Sequence, residues 1–110
     1  MSTVLVKDKI TLSDLQKAKE DYGDYVKITV DMGNARVVIG GQWHADGEKL
    51  LIQNGSKQSD IWGGGINLIT NQVETFALIN LKSNDNNSQE ILDPKTRKRF
   101  IEIVKEKFNL

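Results

Sequence analysis

The chain has 110 residues, 38% hydrophobic and 27% charged, the make-up of a single globular domain spanning 1–110. Lys+Arg and Asp+Glu are both 15, so the net charge is zero, and no charge excess draws nucleic acid or an anionic membrane to it. There is no cysteine, which excludes disulfides, thiolate metal sites and thiol nucleophiles and suits a reducing cytoplasm.

The N-terminus offers only Val4-Leu5-Val6 as an apolar run, with Lys7 and Asp8 directly after it. That is too short for a signal peptide or a membrane span, so the protein is expected to be soluble and cytoplasmic, with no membrane partner. A short strand at 3–6 is possible there. ITLSDLQKAKEDYG follows, and its spacing predicts a helix over 12–22. Thr11 suits the N-cap with Asp14 three residues on, and Gly23 suits the position after the end. Val26, Ile28 and Val30 then alternate with Lys27, Thr29 and Asp31, the period of a half-buried strand. Met32-Gly33-Asn34 reads as a tight turn, giving a hairpin of 25–31 with 35–40.

HADGEKLLIQNG is ambiguous between a short buried strand and a helix over 45–54 ended by Gly55. Helix is the better reading, although Gly47 weakens it by about 1 kcal/mol against alanine. Residues 55–65 read as loop with a short helical turn. Strands are expected at 66–70 and 75–82, and SNDNNSQE reads as a mobile polar loop. Asp93-Pro94 opens the last helix, with Asp as N-cap and Pro in the first turn. The order αββαββα predicts an α+β fold: a two-layer sandwich with a mainly antiparallel sheet and the helices on one side.

The chemistry concentrates between Gly40 and Asn67, which hold both tryptophans, the only histidine and most of the glycines. On a helix, His44 and Glu48 stand one turn apart, a spacing that can hold a metal. One histidine is thin for such a site, and further ligands would have to come from Asp31 or Asp60. The plainer reading has His44 donating to a backbone carbonyl. His44 as a general base, oriented by Asp46 or Asp31, has no nucleophile elbow near it. Gly63-Gly64-Gly65 matches neither a phosphate loop nor a dinucleotide fingerprint. If a strand ran through Trp43 and His44, the two would face opposite ways. Lys95, Arg97, Lys98 and Arg99 put four cations in the first turns of the last helix. There the dipole disfavours them, and all but Arg97 read as a solvated face. Arg97 lies on the apolar stripe and could grip a carboxylate or phosphate, or snorkel.

The run G-G-x-x-H-A-D-x-E-x-L-L-x-x-x-G-S-x-Q-x-D-x-W-G, from Gly40 to Gly63, resembles the signature of a family of small prokaryotic proteins known only as a domain of unknown function. The resemblance extends more loosely over the whole chain. Gln42 stands where that family tends to have an acid, and Gly64-Gly65 intervene before the Ile66-Asn67 strand. The resemblance implies no activity, substrate or cofactor. It implies that the tract is one unit.

The leading expectation is therefore a non-catalytic module that binds a small ligand or a partner protein. Its site would be built from His44, Asp46, Glu48, Gln58, Asp60 and Trp43, with Arg97 as an outlying candidate. No cofactor is expected, and neither a metal set nor a catalytic set is complete. The alternative is a small metal-dependent or histidine-based hydrolase using His44 and nearby carboxylates. A nucleotide-phosphate or nucleic-acid binder led by residues 95–99 comes third, disfavoured by the zero net charge.

Overall fold

In the computed structural model, which describes residues 3–83 and 85–110, five strands form one antiparallel sheet in the order β1-β3-β2-β4-β5. The strands are β1 (Val4–Val6), β2 (Tyr25–Asp31), β3 (Arg36–Ile39), β4 (Ile61–Asn67) and β5 (Gln72–Glu74). The helices are α1 (Leu12–Tyr22), α2 (His44–Gln53) and α3 (Pro94–Lys107), with short 3-10 turns at Gln58–Asp60 and Leu78–Asn80. The α+β class and the antiparallel sheet are as expected, and the element order nearly so.

Alternation along β2 divides the sheet into two unlike faces. Val26, Ile28 and Val30 point to one side, where Val37, Ile39 and Ile66 join them in the main core beneath Ala18 of α1 and Phe100, Ile103 and Val104 of α3. Lys27, Thr29 and Asp31 point to the other. There Val38, Leu51 and Ile61 form a smaller core beneath α2. The expectation that all helices lie on one side is thus corrected: α2 covers the opposite face from α1 and α3. Gly47 is the reason α2 fits there. A Cβ on it would lie 2.5 Å from Thr29 Oγ1 and 2.8 Å from Thr29 Cβ, so helix and sheet touch backbone to side chain. The residue that weakens α2 as an isolated helix is what seats it.

Residues 55–65 are not mainly loop. After Gln58–Asp60 the chain enters β4, and Trp-Gly-Gly-Gly pairs along β2, with Gly63 opposite Thr29 and Gly64 opposite Ile28. Three consecutive glycines give a strand nothing of its own to pack, so neighbours fill the vacated space. The Phe100 ring occupies the place of a Cβ on Gly64, 2.8 Å away. On the other face the Tyr25 hydroxyl lies over Gly65, and Ala77 and His44 lie over Gly63, at 2.6 and 2.9 Å from where its Cβ would be.

The expected strands 66–70 and 75–82 are also corrected. Pairing ends at Asn67, β5 is only Gln72–Glu74, and Leu78–Asn80 is a 3-10 turn. A side chain takes over the role of a strand. The buried Asn80 amide accepts from Gly63 N–H at 2.8 Å and donates to Gly63 O at 3.0 Å. It thereby satisfies the free edge of β4 as a neighbouring backbone would. The same amide nitrogen reaches Thr75 O and Gln89 O. In the segment 83–90, read as a mobile loop, residue 84 lies outside the described residues and residues 85–90 are organised by Asn86, also buried. It donates to Asn80 O, Ser88 O and Glu90 O and accepts from Leu92 N–H.

Candidate functional site

The corner that launches α2 is built by α1. Gly40 and Gly41 take φ of 84° and 99°, the left-handed region that glycine enters without strain. Gly41 N–H donates to Asp21 Oδ2 at 2.9 Å, and the Tyr22 hydroxyl donates to Gln42 O at 2.9 Å. Trp43 then stands at the N-cap of α2, where an indole has no acceptor to offer. Asp46 compensates from inside the helix by accepting Trp43 N–H at 3.0 Å.

Where α2 begins, the sheet face is open. A cleft of about 570 Å³ lies between the helix start, Tyr25 and Lys27 of β2 and the segment 76–79. Its apolar walls come from Trp43, Ala45, Phe76, Ala77, Leu78 and Ile79; its polar groups are Tyr25, Lys27, His44 and Gln89. Trp43, Phe76 and Leu78 are 63%, 53% and 68% exposed, so the rim is apolar and open to water. This volume falls within the roughly 300–1,000 Å³ of small-molecule sites, and a few polar groups in an apolar cleft is their usual character.

The polar groups are in defined states. His44 Nε2 donates to Gly64 O at 2.6 Å, as the plainer sequence reading had it. Burial lowers the imidazole's proton affinity; the Gly64 bond opposes this, and the charge of Lys27 adds to the lowering. The ring is therefore neutral at pH 7, with its proton on Nε2 and Nδ1 a bare acceptor. Nδ1 has no partner among the described residues. No described side-chain nitrogen or oxygen is both buried and unpartnered, so Nδ1 keeps access to solvent.

Lys27 Nζ rests 5.3 Å from the centre of the Tyr22 ring and 5.7 Å from that of Trp43. Among the described residues no carboxylate lies within ion-pair distance of it. Burial, then the charge of Glu74, raises the Tyr25 hydroxyl above its ordinary value, so it stays protonated and can donate.

Of the residues named from the sequence, Trp43 and His44 line this cleft. They share it rather than facing apart, because His44 is already the first residue of α2 and strand alternation has ended. Asp46 serves the helix start. Glu48 is one turn beyond His44 on α2 and is felt electrostatically by Lys82. Gln58 lines a separate cavity of about 280 Å³ with Lys82 and Asp85, and its carbonyl accepts from Lys82 Nζ at 3.2 Å. The Asp60 carboxylate lies beside Gly33, and its backbone carbonyl takes Met32 N–H. Arg97 is on α3, across the sheet from the cleft, and donates to Ile91 O at 3.1 Å. Asp31 is buried and occupied. Burial would raise its carboxyl, but the Ser56 hydroxyl, the Asn34 amide and the backbone N–H groups of Asn34 and Gly33 hold it below the usual carboxylate value. Among the described residues no three His, Asp or Glu side chains gather as a metal site would need.

Tyr25, Lys27, Gln89 and the segment 76–79 are the cleft residues that sequence reasoning did not name. One signal was available: Tyr25 and Lys27 share the β2 face that also carries Thr29 and Asp31, opposite the valines.

Residues 4–107 match the family described as protein of unknown function (DUF5674). The chain belongs to that family. Nothing matches it among curated proteins or solved structures. Membership assigns no catalytic or binding activity. Among the described residues no helix is long and apolar enough to cross a membrane.

Proposed function

We propose that this DUF5674 protein is a non-catalytic module that binds a small molecule in the cleft at the start of α2. One observation carries the reading: a largely apolar cleft of about 570 Å³ whose polar lining includes an ammonium without a carboxylate partner and an imidazole acceptor without a donor among the described residues. Buried polar groups are normally satisfied within a fold, so partly buried ones left open in a concavity suit a ligand. No serine, threonine or carboxylate lines the cleft among the described residues, and His44 commits Nε2 to the sheet, which favours binding over hydrolysis. We also take the cytoplasm to be its setting, consistent with a cysteine-free chain.

The test is a fragment screen by amide NMR on labelled protein. Binders should shift residues 43–45 and 76–79 together. Ala45→Trp, at an exposed position on the cleft wall, should abolish those shifts while the rest of the spectrum stays folded. Fragments that bind Ala45→Trp as well as the parent would sink the assignment. A folded protein whose open cleft takes no fragment would leave a partner protein as the occupant.

A further inference from the structure

Resting on the small-molecule reading, we infer that the cleft selects a flat aromatic carboxylate whose ring carries an N–H or O–H donor. Three features converge on that chemistry. Lys27 rests against two aromatic rings, Tyr22 and Trp43, with no acid paired to it among the described residues. An ammonium beside a mostly apolar cleft calls for an anion, and a carboxylate on it makes a charge-assisted bond about twice as strong as a neutral one.

The second feature is the histidine tautomer. In the neutral ring, with Nε2–H committed to Gly64 O, Nδ1 is an acceptor. A ligand presenting a donor there gains a bond, and one presenting another acceptor is repelled. The direction of polarity at His44 is therefore opposite to that at Lys27, so one ligand must carry both an anion and a donor.

The third feature is the wall. Trp43 stands on the α2 side, with Phe76, Leu78 and Ile79 on the other. Aromatic and branched side chains flanking one concavity suit a planar apolar body, with offset stacking available on Trp43 and Phe76. The volume of about 570 Å³ holds one or two fused rings with room to spare. Tyr25 and Gln89 add a donor and an amide at the lining, which can complete the carboxylate's contacts.

Three matched probes separate these requirements. Indole-3-acetate carries the carboxylate and the ring N–H. Naphthalene-1-acetate keeps the charge and the flat body but lacks the donor. Indole-3-acetamide keeps the donor and lacks the charge. Titrations followed by NMR should show indole-3-acetate binding about tenfold more tightly than either of the other two, the effect of one good polar contact. Lys27→Met keeps a long apolar stem against Tyr22 and Trp43. It should erase the preference for the acetate over the acetamide, with the spectrum otherwise folded. Equal binding of the acetamide or the naphthalene compound would overturn the inference while leaving a ligand cleft in place. Absence of shifts from all three overturns it too, and the fragment screen then decides whether the small-molecule reading falls with it.

Discussion

The two faces of the sheet are built from different alphabets. Under α1 and α3 the residues are valine, isoleucine and phenylalanine, fully buried and mutually packed. Under α2 only Val38, Leu51 and Ile61 make such a core, and glycine, threonine and aspartate take up the rest, with asparagines stitching the rim. The first face holds the fold by volume and the second by close approach and hydrogen bonds. A face made of small residues packs tightly only where a neighbour comes all the way down. Where none does, between the start of α2 and residues 76–79, a cleft is left. The cleft is thus a by-product of the way the second face is closed, placed on a rigid sheet that the first face secures.

Breaking each face separately would measure this contrast. The largest effect is expected on the volume side. Phe100→Ala removes the ring that covers Gly64 and should cost about 3–5 kcal/mol in urea unfolding. Asn80→Leu comes next. It keeps the size but strands Gly63 N–H and O, for about 3 kcal/mol, while Thr75 O and Gln89 O keep the backbone N–H groups of Ile91 and Ala77. A loss under 1 kcal/mol would mean that the β4 edge does not depend on that side chain.

Gly47→Ala tests close approach, and its sign is diagnostic. Helix propensity alone would make it stabilising by about 1 kcal/mol. Contact with Thr29 should instead make it destabilising by about 1–2 kcal/mol. A rise in Tm would show that α2 can ride up off the sheet.

The smallest effect is the pH dependence of His44. Its folded proton affinity is lowered from the ordinary 6.5 by burial. Below 6.5 the unfolded chain therefore takes up a proton that the folded ring resists, and stability rises with pH there. The contribution is complete above 6.5 and is lost as pH falls through the folded value. Tm followed from about pH 7.5 to about pH 5.5 should fall, and His44→Gln should flatten part of that slope. An unchanged slope would place the titration elsewhere.

Much of the first face was legible because local signals and burial agree there. Thr11 with Asp14, and Asp93 before Pro94, mark helix starts that the structure keeps. The alternation of Val26, Ile28 and Val30 is β2. The second face was legible only in part. α2 could be read as a helix despite Gly47, but Gly63-Gly64-Gly65 carries no strand propensity. It becomes β4 because Phe100, Tyr25 and Ala77, distant in sequence, fill its empty positions. Residues 75–82 carry an apolar run that reads like a strand, yet the Asn80 side chain replaces the pairing. The clustering of Trp43 and His44 pointed to the right neighbourhood. Lys27 and Tyr25 were hidden as the ordinary polar half of a strand, and Phe76–Ile79 were hidden inside a misread element. Asp46 and Arg97 looked like site residues because sequence cannot show that a helix start and the Ile91 carbonyl already use them.

The glycine run in β4 has one more consequence. A strand normally resists sliding along its neighbour because a one-residue slip would throw its side chains to the wrong face. Gly63, Gly64 and Gly65 have no side chains to misplace, so over that length β4 exacts no penalty for slipping against β2. What holds it is external: the Asn80 amide clasping a single peptide unit, the His44 ring on one carbonyl, and two aromatic rings wedged from opposite sides. Two of these latches, His44 and Tyr25, also line the cleft, so the groups that hold the sheet's most permissive strand in register are the same ones the cleft presents.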